Sequence, residues 1–369
     1  MGKTRIRIVK RDGCAKWKRA LMYLIAIIVA LGIGAILLSS LDVNPFQYYE
    51  KMFTMGMIDN RIAYKTVENY IKAFVPLLIT AVALSLSFKI RFWNIGGEGQ
   101  FIVGAITAAT IAFTCGGSLG TGLTIVLMLL AAMLAAGIYG GVIALLKVKF
   151  KTNETLLTLM FNYIALYFLL YLGETKAPWN FFLNPESERP IFGSFSELVS
   201  FPTIMIGKFS LNLALIFAII LCIIIYIYLK RTKQGYEISV VGDSAGTAKY
   251  AGMKVSKIVL RTVFISAALI GLAGALKVGT SGILSTSITD SVGWTGIIVA
   301  WLAKLNTIGI FVVAALICVL DTGSTIASST YSAVDANFAD ILQGIILFSV
   351  LVADFCTRFK IVISKEEDQ

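Results

Sequence analysis

The sequence predicts an all-α, polytopic membrane protein with about ten transmembrane helices. Of its 369 residues, 57% are hydrophobic and only 14% are charged, whereas soluble domains average about 25% charged residues. The mean hydropathy is +0.84. Apolar runs close to the ~20 residues that cross a bilayer as a helix recur along nearly the whole chain. Together these observations argue against a water-soluble fold.

The apolar runs predict ten spans separated by polar connections. They cover residues 20–41, 71–88, 98–115, 121–146, 155–172, 211–229, 258–279, about 284–303, 307–321 and 339–356. The third run is short and rich in Gly at its start, and the eighth is interrupted by Ser, Thr and Asp290. No low-complexity linker divides the runs. We therefore expect one transmembrane domain, 20–356, between an N-terminal tail, 1–19, and a C-terminal tail, 357–369.

Lys and Arg are distributed unevenly between the two sides of these spans. The connections on the side of the N-terminus hold 23 of them, and the opposite connections hold 6. Cytoplasmic loops carry such an excess, so both termini of this predicted multi-pass plasma-membrane protein are expected in the cytoplasm. The 230–257 segment is then cytoplasmic and the 173–210 segment extracellular. The same distribution explains the net charge of +11, which therefore indicates a lipid bilayer, not nucleic acid, as the partner.

The N-terminal segment also fits a signal peptide, because a basic stretch precedes an apolar run. The run from Ala20 to Leu38 is longer than the usual apolar core of a signal peptide, and no clear small-residue cleavage pattern follows it. An uncleaved first helix is therefore the favoured interpretation.

The residue inventory argues against most catalytic chemistry. The chain contains no His, so it lacks Ser-His-Asp and Cys-His catalysis and His-ligated metal sites. Its five Cys are scattered without metal-ligand spacing. The string "VGDSAGTAK" has glycines but lacks the Gly-Lys-Ser/Thr end of a phosphate-binding loop. We expect no catalytic residues, metal or cofactor, and we expect a transporter to take energy from a partner or an ion gradient.

Two interrupted stretches suggest an internal symmetry. Spans two to five and seven to ten form two groups of four with opposite predicted orientations. In each group a Gly-containing stretch joins the first span to the second, "NIGGEGQ" at 94–100 and "VGTSGILSTS" at 278–287. Transporters often carry inverted repeats whose interrupted helices meet at a central site. The spacing thus predicts two inverted half-repeats.

Polar residues within or beside the spans are candidates for a translocation path. In "FKIRFWNIGGEGQ", 88–100, they either anchor the helix ends and cap the next helix or help to shape or gate a polar path. Those in "TNETLLTLMFNYIALYF" either line the same path or bind helices together. The candidates are Asn94, Glu98, Gln100, Asn153, Glu154, Asn162 and Tyr163.

Four strings together resemble one known family. "RFWNIGGEGQFIVGA", "TNETLLTLMFNYIALY", "LKRTKQGYEISVVGDSAGTAKYAGMKVSKI" and "SAALIGLAGAL" are similar to permease subunits of ATP-binding-cassette importers. The resemblance is to the branch for branched-chain amino acids, ribose-like sugars and nucleosides, and most closely to nucleoside or simple-sugar permeases. It implies about ten spans, no ATPase site, and three kinds of partner. These partners are cytoplasmic ATP-binding subunits, a second permease subunit and an extracellular substrate-binding protein or lipoprotein.

The resemblance also implies a role for the 230–257 segment, which matches the family's short helix that docks into the ATPase. The matching residues follow the family's Ala-Ala-Arg-Tyr-Ala-Gly core, although Lys249 replaces Arg and lacks its planar fork. The predicted coupling residues are Gly242, Ala245, Ala248, Lys249, Tyr250, Ala251 and Gly252. On the opposite side, the binding protein is expected to dock on 173–210 through Trp179, Phe181 and Phe182.

The substrate remains open at this point. A nucleoside or similar small polyol is the first hypothesis, and a ribose-like sugar or a branched-chain amino acid is the alternative. The stretch "SGILSTSITDSVGWTGIIVAWLAKLN" departs from the Gly-rich, aromatic run that the family often has there. A secondary carrier using Glu98, Glu154 and Asp290 for H⁺ or Na⁺ is the rival mechanism, and an intramembrane enzyme is the least supported.

Overall fold

Helices make up nearly all of the regular structure in a computed structural model of the chain. It describes residues 4–10, 16–58, 62–195, 199, 201–335 and 337–365. Within these ranges the elements are, in chain order, β1 (Thr4–Lys10), α1 (Lys16–Ser40), α2 (Pro45–Phe53), α3 (Ala63–Lys89), α4 (Gly97–Cys115), α5 (Thr121–Phe150), α6 (Glu154–Glu174), β2 (Thr203–Ile206), β3 (Phe209–Asn212), α7 (Leu213–Arg231), α8 (Lys233–Asp243), α9 (Ala245–Tyr250), α10 (Val255–Ser281), α11 (Val292–Leu302), α12 (Thr307–Thr330), α13 (Phe338–Arg358) and β4 (Phe359–Lys365).

The polytopic, all-α class is confirmed. Among the described residues, nine helices are long and apolar enough to cross a membrane. Nine of the ten predicted spans coincide with such a helix. The eighth does not, because α11 has only 11 residues, about 16 Å at 1.5 Å per residue, roughly half of the ~30 Å hydrocarbon core.

A non-helical stretch takes the place of the first part of that eighth span. Ser and Thr side chains can compete with helical hydrogen bonding, which lowers the helix propensity of this stretch. Asp290 and Ser291 lie in the left-handed region, with φ of 43° and 57°, which an α-helix does not contain. The helix therefore starts only at Val292.

The chain divides into two units. The first comprises Met1–Ala63 and Val319–Gln369. In it α1 contacts α13, and β1 pairs antiparallel with β4, Thr4 opposite Lys365. Helix α2 starts at an Asn44 cap followed by Pro, a favourable combination for a helix N-terminus, and its buried Tyr48 hydroxyl lies 2.8 Å from Ser324 Oγ.

The second unit, Tyr64–Cys318, contains all of the path and coupling candidates. Its core is built on α10, which packs with α4 and α5, and on the largely buried α3, whose Ala83 O accepts a hydrogen bond of 2.7 Å from Ser266 Oγ of α10. Of the apolar stretch of α3, 89% is buried, against 17% of that of α7. Small residues permit the close packing, since a Cβ on Gly104 would collide with the backbone of Gly271, as in membrane helix pairs generally.

The 173–210 segment is the long irregular connection of this unit. It ends in a hairpin in which Thr203 pairs with Asn212 across β2 and β3, and Gly207 supplies the positive φ of the turn. Further back, Phe195 N donates to Gly282 O at 2.9 Å. The connection is therefore attached to the end of α10.

Candidate functional site

Two buried side-chain amides stabilise the non-helical connection between α3 and α4, residues 90–96, which we call the first break. Asn94 and Gln100 are both fully buried. Each side-chain nitrogen donates to the other's side-chain oxygen at 3.1 Å, and Asn94 Oδ1 also accepts from Gly96 N at 3.1 Å. The hydrogen-bonding capacity of both side chains is directed at each other and at the backbone. In this conformation neither presents a surface to a path.

Helix α6 supplies the remaining partners of the first break. Asn162 Oδ1 accepts from Gly99 N and Asn162 Nδ2 donates to Ile95 O, each at 2.8 Å. One turn earlier, Thr158 Oγ1 accepts from Ile95 N at 3.2 Å. Irregular backbone is tolerated at membrane depth only where such groups are satisfied. These contacts therefore hold the interrupted backbone against α6.

Glu98 joins α4 to α11. Its Oε2 accepts a hydrogen bond of 2.7 Å from Gly293 N, and the Thr289 side chain and Trp294 amide also hydrogen-bond to the carboxylate. The N-terminal amides of a helix carry partial positive charge, so the carboxylate favours the starts of both helices. At the other end of α11, Trp301 stacks on Trp93 with ring centroids 5.2 Å apart.

The last three path candidates lie along α6 in different surroundings. Asn153 caps the helix by accepting from Thr155 N and Leu156 N. Glu154, in the first turn, pairs with Lys147 of α5. Tyr163 follows Asn162 but points outward, with 47% of its surface exposed. Tyr163 alone of these three combines mid-helix position with exposure.

The three carboxylates of the carrier hypothesis are held by separate partners. Glu98 binds the start of α11, Glu154 binds Lys147, and Asp290 binds Lys277 Nζ at 2.7 Å. In the part of the chain that the structure describes, no three His, Cys, Asp or Glu residues lie close enough to hold a metal ion together.

The 230–257 segment folds into the short helices α8 and α9. Each has a polar cap, since Thr232 Oγ1 accepts from Gly235 N and Ser244 Oγ accepts from Thr247 N. Of the predicted coupling residues, Gly242 and Ala248 are buried, whereas five are exposed. The exposed ones are Ala245, Lys249, Tyr250, Ala251 and Gly252. Tyr250, 97% exposed, projects from the end of α9.

The buried side of the 230–257 segment contacts the first break. A Cβ on Gly242 would overlap the carbonyl oxygen of Lys89, so only Gly permits this approach. Ala248 belongs to a buried apolar cluster with Ile90 and Phe92. Arg91 Nη2 donates to Asp243 O at 3.3 Å. The segment and the break are therefore in direct contact.

The aromatic residues of the 173–210 segment divide into two groups. Trp179 and Phe181 are 52% and 45% exposed, and Phe181 lines an open groove of about 510 Å³. Phe182 is only 5% exposed, with its ring against Phe113 and stacked on Phe181. The expectation that Phe182 belongs to a docking surface is wrong in this conformation, because its side chain is part of the aromatic core.

Two residues of the site were missed by sequence reasoning. Thr158 precedes Asn162 by one helical turn, and that spacing on one face of α6 could have indicated a shared partner. Gly293 lies in the stretch that departs from the resembled family, and its closeness to Glu98 depends on tertiary contacts. No local signal marks it.

Comparisons with known proteins support the family resemblance. The chain is 27% identical over 341 residues to the nucleoside ABC transporter permease protein NupB of Lactococcus lactis subsp. cremoris (strain MG1363), with 91% of this chain and 92% of that protein covered. It is 29% identical over 345 residues to the guanosine ABC transporter permease protein NupP of Bacillus subtilis (strain 168), with 92% and 94% covered. It is 25% identical over 347 residues to the glucose ABC transporter permease protein TsgB13 of Haloferax volcanii, with 92% and 89% covered.

No solved structure matches the chain significantly. The family model described as branched-chain amino acid transport system / permease component matches residues 66–351. That range covers most of the chain and every path and coupling candidate. The resemblance that the four strings predict is confirmed, and the chain belongs to this family of transport-system permease components.

Proposed function

We propose that the chain is a permease subunit of an ATP-driven importer, and that it forms the translocation path for a nucleoside or similar small polyol by alternating access. Family membership supports the permease role, and the names of relatives that carry nucleosides, guanosine and glucose support the class of solute. The ATPase belongs to a separate subunit.

The contact between the 230–257 segment and the first break carries this proposal. A ligand or partner shifts a conformational equilibrium only through contacts that differ between the states. The exposed side of α9, with Lys249 and Tyr250, offers an ATPase subunit such a contact. On the buried side of α9, Ala248 belongs to one apolar cluster with Ile90 and Phe92, in the loop that leads to Asn94. In the preceding helix α8, Gly242 approaches the backbone of Lys89. Movement of α9 would therefore displace the start of α4.

The buried amides have a positioning role in this mechanism. Asn94, Gln100 and Asn162 keep the first break in one shape, so that a displacement of the loop moves α4 as a unit. Because Glu98 in α4 accepts a hydrogen bond from Gly293 in α11, a displacement of α4 would also move α11. Asn153 and Glu154 fix the start of α6 beside α5.

The proposed assembly places both termini in the cytoplasm of a bacterial cell. ATP-binding subunits would contact the 230–257 segment there. A second permease subunit, either a copy or a related chain, would complete the path. The extracellular substrate-binding protein would dock on the 173–210 segment, where Trp179 and Phe181 are exposed and Phe182 is buried.

The experiment targets Gly252, whose φ is +75°. A β-branched residue is a strained outlier there, whereas Asn tolerates the left-handed region. Gly252→Val should uncouple uptake from ATP hydrolysis, with uptake falling about tenfold or more while membrane insertion is unchanged. Gly252→Asn, the matched control, should retain most uptake. Lys249→Glu reverses the exposed charge and should also uncouple.

Uptake of radiolabelled solute and ATP hydrolysis are measured on the same proteoliposomes, assembled with the cognate ATP-binding and substrate-binding proteins. Unchanged uptake in both Gly252→Val and Lys249→Glu would contradict the coupling role. Uptake that persists without ATP and collapses with an uncoupler would instead favour the secondary carrier.

A further inference from the structure

Helix α6 presents two different lines of exposed side chains. One line is apolar and consists of Met160, Ile164 and Phe168. The other, which we call the tyrosine stripe, consists of Tyr163, Tyr167 and Tyr171. Residues four apart lie on the same helix face. Each line is therefore continuous along α6, and the two differ in chemistry although both are exposed.

The tyrosine stripe starts in the middle of the span. Tyr163 lies nine residues after Glu154 and eleven before Glu174, the first and last residues of α6. Tyr171 lies eight residues further on, about 12 Å along the axis at 1.5 Å per residue. Tyr is enriched at the two surfaces of a membrane. A stripe that extends from mid-span is not an interfacial belt of this kind.

The hydroxyls of the stripe distinguish it from a lipid-facing surface. Among the described residues, no protein group forms a hydrogen bond with the hydroxyls of Tyr163, Tyr167 or Tyr171. Tyr70 in α3 and Tyr139 in α5, by contrast, each donate to a backbone carbonyl. A hydroxyl without a partner is unfavourable in hydrocarbon. Such a line of hydroxyls is suited to water or to a polar ligand.

The rings of the stripe lie in stacked pairs. Tyr163 and Tyr167 have ring centroids 6.4 Å apart and planes 26° apart. Tyr171 stacks on Trp179, with centroids 6.0 Å and planes 24° apart. The chain neighbours of Trp179, Pro178 and Asn180, line an open groove of about 510 Å³. The aromatic surface thus extends from the middle of α6 to Trp179, in the loop that borders this groove.

We propose that the tyrosine stripe lines the translocation path as a stacking track for a planar aromatic ring, and that it selects solutes bearing a nucleobase over simple sugars. Aromatic side chains stack on every nucleobase regardless of its identity. The hydroxyls beside the rings can hydrogen-bond to the edges of the base. This inference rests on the proposed function, in which ATP hydrolysis drives transport, and it defines the substrate class more narrowly.

The first test measures whether the stripe faces water, and it does not depend on transport. In a full-length chain whose five native Cys are replaced by Ser, the Tyr167→Cys variant should react with a membrane-impermeant thiol reagent. Guanosine should slow that reaction, and ribose should not. The Phe168→Cys variant, altered at the adjacent position on the apolar line, should remain unreactive. A Tyr167→Cys variant that does not react, or that guanosine does not protect, would overturn the proposal.

The second test measures selectivity in the assembled importer. Tyr167→Leu should lower ATP-dependent guanosine uptake about tenfold, as loss of one stacking partner predicts, with ribose uptake much less affected. Tyr167→Phe keeps the ring and should retain most guanosine uptake, and Phe168→Leu should match the parent. Equal losses in Tyr167→Leu and Phe168→Leu, or uptake of ribose but not guanosine by the parent, would refute the stacking track. Absence of any ATP-dependent uptake would refute the proposed function instead, and labelling would still decide the stripe.

Discussion

The first break, residues 90–96, and the second break, residues 282–291, follow helices of the same length and are held in opposite ways. Both α3 and α10 have 27 residues. In the first break the side chains of Asn94 and its partner Gln100 are fully buried and bonded within the protein. The second break leaves the polar residues Thr286, Ser287 and Asp290 exposed.

This difference indicates a division of work between the two breaks. A buried, satisfied hydrogen-bond network fixes one geometry and is costly to disrupt. Exposed Ser and Thr residues contribute little to stability and remain able to contact water or solute. We therefore expect the first break to determine how α4 and α11 are held and the second to tolerate substitution. The equal lengths of the preceding helices agree with the predicted inverted repeat, which remains a prediction.

The largest effect is expected from Asn162→Leu, which removes the support of the first break. Gly99 N and Ile95 O would both lose their partner from α6. Each buried group left unsatisfied costs about 1–3 kcal/mol, so the variant should be destabilised by about 2–5 kcal/mol. The midpoint of thermal unfolding in detergent measures the effect.

Two control variants test whether the loss of stability is specific to the first break. Met160→Leu, on the exposed apolar side of the same helix, should change stability by less than about 0.5 kcal/mol. Thr286→Val, a similar-sized change in the second break, should do the same. If Thr286→Val destabilises the protein as much as Asn162→Leu, the proposed contrast between the breaks is incorrect.

An intermediate effect is expected at the junction between the breaks. A Cβ on Gly293 would collide with the backbone of Glu98, so Gly293→Ala should push α11 away from α4 and weaken the hydrogen bond to Glu98. Overpacking of this kind destabilises a protein by about 1–3 kcal/mol. Solute uptake per inserted molecule should fall about tenfold, since an altered junction no longer relays movement to α11.

Gly122→Ala is the matched control for the junction, because no atom lies within 4 Å of the Cβ that it adds at the start of α5. Its uptake should equal that of the parent. Parental uptake in Gly293→Ala would show that close approach of the two helix starts is not needed for transport.

The sequence predicted the class of the molecule and identified the polar residues that lie at the first break, but not their pairing. Composition and repeated apolar runs predict spans, and Asn94, Gln100 and Asn162 are evident as polar residues near the membrane. That Asn162 binds Gly99, 63 positions away in the chain, is decided by the packing of α6 on α4. Phe181 and Phe182 differ in burial because an irregular loop has no periodicity from which a side could be assigned.

The smallest effect is expected at the ion pair of the second break. Lys277 Nζ lies 2.7 Å from Asp290 Oδ2, and 60% of the Asp290 side chain is exposed. Exposed pairs contribute about 0.2–1 kcal/mol. Asp290→Asn removes the charge but tolerates the positive φ of 43°, so it should lower stability by less than about 1 kcal/mol and only at low salt.

Asp290→Ala adds the backbone cost of a left-handed residue, about 1–2 kcal/mol, and should be the less stable variant at every salt concentration. Thermal unfolding of both variants at two salt concentrations separates the two contributions, and a salt-independent loss in Asp290→Asn would mean that the second break is held as firmly as the first.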